Sequence, residues 1–217
     1  HTMLSPSLLL HDGDQSIDTI RLRDAFFNVD FIKEDPSRVD FLIGGFVRQP
    51  CQEIDHLVIE DVRSFLFDKD TPFIGGLDLV SLNIQRGRDM GIPSYNEVRL
   101  AYGLTTAKSY ADITQDTSLQ AKLEEAFGEG NVDMLDLWTA ALSEDHAPGA
   151  AVGETIATII SEQFQRLMNG DPFFYLGDND LSGRELKEII DLDNFQLANV
   201  IRENTDIRNL NNNVFFV

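Results

Sequence analysis

Apolar residues recur at helical spacing along most of the chain, and few stretches alternate as strands do. The clearest repeat covers residues 152–168, where one apolar stripe is followed by Asn169 and Gly170, a typical helix stop. This pattern predicts a mainly α fold with the 152–168 helix in its core. The same spacing predicts further helices at residues 19–28, 38–48, 56–67, 77–89, 95–102, 118–127, 134–142, 183–190 and 195–203.

The sequence runs without an obvious division. No internal repeat, low-complexity tract or linker-like stretch interrupts it, so we expect residues 1–217 to form one domain or part of one. Ser182 and Glu185 have the spacing of a capping box at the start of the 183–190 helix. Because the first residue is His1 rather than methionine, we expect a processed product or a piece of a longer protein.

Composition excludes several classes of function. The chain has 17 Lys and Arg against 37 Asp and Glu, and a net charge of -20 would repel nucleic-acid phosphates, so we exclude nucleic-acid binding. The single cysteine, Cys51, excludes an internal disulfide and any site built from several cysteines. No run reaches the roughly 18 apolar residues that a membrane span requires.

Two acidic segments resemble calcium-binding loops but lack residues that such loops need. The segment at residues 12–16 would be followed by Ile17 where the loop needs glycine and by Arg23 where it needs glutamate. The segment at residues 178–183 would place Ile189 at that glutamate position. We therefore expect both segments to be solvated turns.

Two other groups of polar residues suggest alternative chemistries. Glu53 and His56 form a Glu-x-x-His unit on a predicted helix, which di-iron bundles use twice but which occurs once here. A di-iron site therefore stays as one alternative, and a non-catalytic helical binding module as another. Residues 143–146 combine serine, acidic residues and histidine, but the nucleophile elbow of a hydrolase is missing, so we expect a polar loop.

The predicted helix at residues 77–89 has an unusual face. Its members fall at i, i+3, i+4, i+7 and i+11, namely Leu79, Leu82, Asn83, Arg86 and Met90. The leucines predict that this face points inward, which would bury an amide and a guanidinium. Because burying such groups without partners costs about several kcal/mol, both need partners inside. Those partners could be protein groups or a bound ligand.

Residues 82–96, which read Leu-Asn-Ile-Gln-Arg-Gly-Arg-Asp-Met-Gly-Ile-Pro-Ser-Tyr-Asn, resemble the signature of the animal-type haem peroxidase family. This family belongs to the peroxidase-cyclooxygenase superfamily, and the likeness is to its bacterial-like members. The segment at residues 1–6 resembles the one that holds the family's proximal histidine. Further stretches resemble the family in order and spacing, at residues 22–28, 133–138, 143–148 and 153–171. The resemblance implies the multi-helical haem peroxidase fold, with residues 1–217 as its C-terminal portion.

The resemblance also implies roles for individual residues. His1 corresponds to the axial ligand of the haem iron, and Asn83 to the catalytic residue that accepts the Nδ1 proton of that histidine. Arg86 corresponds to the anchor of a haem propionate, while Leu79 and Leu82 would line the haem pocket. A neutral amide partner orients the imidazole and fixes its tautomer without making it strongly anionic.

The implied activity is peroxide-dependent oxidation of a small-molecule electron donor, with this chain supplying the proximal side of the haem. In the family the distal histidine, distal arginine and calcium loop precede the proximal histidine, so they would belong to an upstream half. Met90 departs from the family, since most relatives have histidine there. A fatty-acid dioxygenase of the same superfamily and an inactive helical fragment stay as alternatives. Family habit implies a secreted or extracellular location.

Overall fold

The computed structural model describes residues 1–13, 15–26, 28–64, 78–177 and 190–216. The predicted capping box at Ser182 and Glu185, and the 183–190 helix up to residue 189, lie outside the described residues. The chain divides into two compact units, each considered separately. Unit 1 contains the described parts of residues 1–4 and 53–168, and unit 2 those of residues 5–52 and 169–217.

The described chain is mainly helical, as predicted. The strands are β1 (Ser7–Asp12) and β2 (Gln15–Arg21). The helices are, in chain order, α1 (Leu22–Ala25), α2 (Val29–Glu34), α3 (Arg38–Phe46), α4 (Glu60–Arg63), α5 (Leu79–Asp89), α6 (Tyr95–Ala101), α7 (Thr117–Phe127), α8 (Leu137–Ser143), α9 (Glu154–Gly170) and α10 (Leu197–Asn204). Short 3₁₀ helices lie at Tyr110–Asp112 and Val132–Met134.

Unit 2 contains an antiparallel hairpin of β1 and β2, which helical periodicity did not predict. The predicted helix at residues 19–28 is wrong, because β2 continues to Arg21 and, among the described residues of this range, helix is limited to α1. The chain reverses at Asp12 and Gly13, and Gly13 has φ of 56°. A turn of this type followed by β-branched residues such as Ile17 favours a hairpin over a helix.

Helix α3 packs against β1 through two buried glycines. A Cβ atom on Gly45 would lie 1.9 Å from the carbonyl oxygen of Leu9, and one on Gly44 would lie 2.7 Å from that of His11. Only glycine therefore allows this close approach. The side chain of Gln49 accepts a hydrogen bond from the Leu9 amide at 3.0 Å, which extends the edge of the hairpin.

Unit 1 contains helices α4 to α9, up to residue 168, and α4 and α8 start three or more residues later than their patterns predict. Helix α4 starts at Glu60 rather than residue 56, because the carboxylate of Asp55 accepts a hydrogen bond from the Leu57 amide at 2.8 Å and forms a local turn. Helix α8 starts at Leu137 rather than residue 134. The preceding Leu135 is extended, and its carbonyl accepts a hydrogen bond from the Tyr95 amide at 3.0 Å.

The core of unit 1 lies among α6, α7, α8 and the two 3₁₀ helices. It is formed by Tyr95, Ala107, Tyr110, Ile113, Leu119, Leu123, Val132, Leu135 and Ala140. Helix α9 is not the core helix that its apolar stripe predicted. Thr155 is its buried residue, whereas Phe164 is 66% exposed and Leu167 is 54% exposed. Periodicity shows that a face can be covered, but it does not show what covers it.

Within the described ranges, none of the helices combines the length and the apolar character needed to cross a membrane.

Candidate functional site

Helix α5 is fixed at its start by a side-chain cap. The carboxylate of Asp78 accepts hydrogen bonds from the amides of Val80, at 2.9 Å, and Ser81, at 3.2 Å. These bonds satisfy two of the four amides that a helix leaves unpaired at its N-terminus. Arg86 and Arg88 lie in the last turn, where positive charge is favourable next to the helix dipole. The helix therefore begins and ends at well-defined positions.

The structure brings His1, Asn83 and Trp138 together in unit 1. The Nε2 atom of His1 lies 3.2 Å from the Nδ2 atom of Asn83. The imidazole also stacks on the indole of Trp138, with ring centroids 5.8 Å apart and an angle of 29° between the planes. His1 is exposed, and the other two residues are half-buried. The contact between His1 and Asn83 agrees with the resemblance, whereas sequence reasoning did not single out Trp138.

The atoms in this contact differ from those that the resemblance implies. The expected bond runs from the Nδ1 proton of His1 to the side-chain oxygen of Asn83. In the structure the Nε2 atom faces Asn83, and the nearest amide atom is the nitrogen Nδ2. If Nδ2 donates, Nε2 accepts, and the imidazole proton is then on Nδ1.

Helix α5 is joined to the start of α8 by a bidentate ion pair. The Nε atom of Arg88 donates to one carboxylate oxygen of Asp136 at 2.9 Å, and Nη2 donates to the other at 2.7 Å. The hydrogen bond and the charge of Asp136 raise the pKa of Arg88 above its ordinary value. Because Asn83 lies on α5 and Trp138 lies on α8, this pair links the two helices that contact His1.

A cavity of about 410 Å³ lies among α5, α8 and α9 in unit 1. Aliphatic side chains form most of its wall, and Asn83, Arg86 and Asp136 supply polar groups. Its other lining residues are Ile84, Gly87, Ile92, Leu137, Trp138, Ala141, Leu142, Ile156, Ile159 and Ile160.

The predicted inward face of α5 is not buried by the residues described. Arg86 is exposed, Leu82 is 40% exposed, and Met90 is 72% exposed. Arg86 forms no salt bridge within the described part of the chain, so of the two kinds of partner left open by the sequence, an acidic side chain of the protein is not observed there. Leu79 is half-buried, and neither Leu79 nor Leu82 lines the cavity. Their role as haem-pocket residues stays a prediction.

A buried hydrogen-bond network lies between α6 and the start of α9, and sequence reasoning did not find it. The Oε1 atom of Glu144 accepts hydrogen bonds from the hydroxyl of Tyr95 at 2.6 Å, from Nη1 of Arg99 at 2.9 Å and from the hydroxyl of Thr155. The Thr155 amide donates to Oε2 at 2.8 Å. Burial, followed by the bond to Glu144, raises the pKa of Tyr95. The network holds the start of α9 against α6.

The residues at 143–146 do not form a hydrolase triad. The Ser143 hydroxyl donates to the carbonyl of Thr139 at 2.8 Å, and the His146 ring lies 3.0 Å from the carbonyl of Ile54. The carboxylate of Asp145 accepts from the Thr114 hydroxyl at 2.7 Å.

The Glu-x-x-His unit at residues 53–56 does not lie on a helix as predicted, because α4 starts only at Glu60, and it offers a single pair of potential metal ligands. Among the described residues, no group of three or more His, Cys, Asp or Glu side chains is placed to hold a metal ion.

The sequence of the whole chain, which brings His1 and Asn83 into contact, can be compared with known protein families. The model of the animal haem peroxidase family matches residues 1–215. The chain belongs to the animal haem peroxidase family. This peroxidase-family chain is 44% identical to peroxinectin A of Dictyostelium discoideum over 137 residues, which are 63% of this chain and 25% of that protein. The match therefore spans about a quarter of that relative.

Solved structures show the same fold. Peroxidase A from Dictyostelium discoideum matches this animal haem peroxidase chain with a TM-score of 0.84 and 33% identity, over 99% of this chain and 40% of that chain. Fatty acid alpha-dioxygenase from Oryza sativa matches with a TM-score of 0.75 and 20% identity, over 94% of this chain and 35% of that chain. At this identity the second likeness shows the fold alone. The multi-helical haem peroxidase fold is thus confirmed.

Proposed function

We propose that the chain forms the proximal haem side of a peroxidase that uses hydrogen peroxide to oxidise a small-molecule electron donor. His1 is the axial ligand in this proposal, and Asn83 is its hydrogen-bond partner. The observation that carries the proposal is the contact between these two side chains, on the helix that bears the peroxidase signature. Haem, when bound, would supply the iron at which peroxide is cleaved and the oxidising equivalents for the donor.

The imidazole can adopt the expected orientation without leaving its plane. A half-turn about the Cβ–Cγ bond of His1 exchanges Nδ1 with Cδ2 and Nε2 with Cε1, so Nδ1 then lies on the ring edge that faces Asn83 and Nε2 lies on the opposite edge. This torsion is broad and roughly two-fold in histidine. A matching turn of the Asn83 amide lets its oxygen accept the Nδ1 proton. Nε2 is then left for the metal, and the bond to Asn83 makes the imidazole a stronger ligand.

The exposed face of α5 supports the binding of a flat apolar group with acidic substituents. Leu82 is 40% exposed next to the free guanidinium of Arg86, for which the described residues provide no carboxylate partner. A haem propionate would supply that partner, since guanidinium and carboxylate groups match in geometry and charge. Leu79 and Leu82 would then contact the macrocycle. The residues present therefore fit haem.

We propose further that the chain works together with an upstream half of the domain. Support comes from the 40% coverage of the solved peroxidase and from the exposed apolar face of α9, which includes Phe164 and Leu167. In this proposal the upstream half provides the distal acid-base groups and any calcium site. A secreted or extracellular location belongs to the same proposal and follows from the resemblance.

The test is a titration of ferric haem into the 217-residue chain and into a longer form that includes the upstream half. We expect a Soret band typical of an imidazole ligand, which His1→Ala should abolish and His56→Ala should retain. A spectrum unaffected by His1→Ala would remove His1 from the iron. Iron without a Soret band would favour the di-iron alternative, and no cofactor at all would favour a binding module.

The longer form also separates peroxidase from dioxygenase activity. Peroxide-dependent oxidation of a phenol is expected. Oxygen uptake with a fatty acid, in the absence of peroxide, would instead favour the dioxygenase.

A further inference from the structure

Trp138 occupies a position that the peroxidase signature does not explain. It is the single tryptophan of the chain, and it lies one residue after the start of α8, where its indole stacks on the imidazole of His1. We infer that Trp138 is a positioning residue that fixes the plane of the His1 ring. The inference concerns the same site as the proposed function, and its consequence for haem rests on that proposal.

The stacking geometry is suited to fixing a ring plane. The centroid distance of 5.8 Å and the angle of 29° fall in the range of offset stacking, which extends over about 4.5–7 Å. His1 is exposed, so its ring has little other packing to limit its rotamers. Trp138 is half-buried, so more of its side chain than of the exposed His1 is covered by the protein. The more constrained ring therefore orients the less constrained one.

The helix that carries Trp138 is itself firmly anchored. Leu135 is 0% exposed just before α8, and Ala140 is 0% exposed within it. The ion pair between Arg88 and Asp136 joins the residue that precedes α8 to the last turn of α5. Asn83 and Trp138 are consequently held at a fixed separation, with the His1 ring in contact with both.

Trp138 and Asn83 constrain different degrees of freedom of the imidazole. Stacking on the indole selects the ring plane but does not distinguish between two orientations that differ by a half-turn about Cβ–Cγ. The amide of Asn83 does distinguish them, because one orientation places Nε2 next to it and the other places the Cε1–H group there, which cannot accept its hydrogen bond. Together the two residues define one ring geometry, which a metal ligand needs for a reproducible bond.

The test uses nuclear magnetic resonance of the 217-residue chain with labelled histidine, without added haem. In the wild type we expect upfield-shifted His1 ring protons and Overhauser cross-peaks to the indole. Trp138→Leu should abolish both and lower the order parameter of the ring, while Trp138→Phe should restore most of the order. Leu142→Ala, on the same helix and in the same cavity wall, should leave the His1 resonances in place.

The outcomes separate positioning from packing. Loss of His1 ring order in Trp138→Leu and retention in Leu142→Ala, with both unfolding cooperatively in urea, supports the inference. Equal ring order in the wild type and Trp138→Leu would overturn it, and so would equal loss in the two variants. Haem titration of the same variants tests the proposed function separately, because the chain could order His1 through Trp138 and still bind no haem.

Discussion

At the scale of single residues, some side chains of the site have partners within the chain and others do not. The imidazole of His1 contacts Asn83 and Trp138 within the chain, whereas the guanidinium of Arg86 is exposed and forms no ion pair with the residues described. Arg88, two residues later on the same helix, is fully engaged by Asp136. The two arginines therefore allow the proposed ligand-binding role of Arg86 to be compared with the internal ion pair of Arg88.

We expect Asn83→Leu to weaken haem binding by about 10–100-fold, because an unsupported imidazole loses its fixed tautomer and orientation. Haem affinity is measured by Soret titration. Gln85→Leu is the matched control on α5, since Gln85 is exposed and bonds to Asp89 instead. Equal affinities of the Asn83→Leu and Gln85→Leu variants would contradict a supporting role for Asn83.

Arg86→Leu should weaken haem retention by about 1.5–3 kcal/mol, the scale of a hydrogen bond to a charged group, and should leave the apoprotein nearly unchanged. Haem transfer to an acceptor protein and urea unfolding of the apoprotein measure the two effects. Arg88→Leu should instead lower the free energy of unfolding of the apoprotein, because it breaks an observed ion pair with Asp136. An apoprotein loss in Arg86→Leu with normal haem retention would indicate a structural role.

At the level of elements, the position of α9 depends on buried polar contacts rather than on its apolar stripe. The side chains of Arg99 and Glu144 are 10% and 6% exposed, and Nη1 of Arg99 lies 2.9 Å from Oε1 of Glu144 in their ion pair. Thr155 on α9 donates to the same carboxylate through its amide and its hydroxyl. This network therefore fixes the position of α9, which forms one wall of the cavity.

Glu144→Ala should lower the free energy of unfolding by about 3–5 kcal/mol, because it leaves the buried guanidinium of Arg99 without one of its carboxylates. Urea unfolding followed by circular dichroism measures the change. Glu162→Ala is the control, since its pair with Arg166 on the exposed side of α9 should contribute little. A loss in Glu144→Ala as small as that of the control would show that the network does not stabilise the fold.

Stability should fall at alkaline pH through Tyr95. Its pKa is raised by burial in the folded state, whereas an unfolded tyrosine ionises near pH ~10. The contribution of Tyr95 is therefore present below that pH and is lost as the pH rises towards the folded pKa. Unfolding free energies measured from neutral to alkaline pH should depend less on pH in Tyr95→Phe. A Tyr95→Phe curve parallel to that of the wild type would refute the assignment.

At the scale of the whole molecule, the main feature is the large negative net charge. The net charge of -20 on 217 residues means that carboxylates repel one another, and dissolved salt screens that repulsion between charges farther apart than a Debye length, about 10 Å at 0.1 M. Such a surface also discourages binding to other anions. The proposed haem site nevertheless includes the exposed guanidinium of Arg86, whose positive charge would favour a propionate locally.

Thermal stability should therefore rise with added sodium chloride at neutral pH, as screening weakens the repulsion among carboxylates. Calorimetry between low and moderate ionic strength measures the midpoint. Near the sequence pI of 4.3 the same addition should have little effect, because the net charge is close to zero there. A midpoint that is independent of salt at neutral pH would contradict this expectation.

The sequence by itself determined the helical class, several helix positions and the residues of the peroxidase signature. Helices α5, α6, α7 and α9 lie within two residues of their predicted bounds, because a helix repeat is a local property that neighbouring residues establish. The contact between His1 and Asn83 could be predicted for a different reason, because both residues belong to sequence segments that resemble the same family.

Only the tertiary structure decided which faces are buried and which distant residues meet. The β1–β2 hairpin, the stacking of Trp138 on His1 and the Glu144 network each join segments whose contact no local repeat specifies. The stripe of α9 and the face of α5 have helical periodicity, yet both are largely exposed within the described chain. Amphipathic spacing indicates that a helix face is suited to burial. Whether that face is buried depends on how several other elements are placed around it.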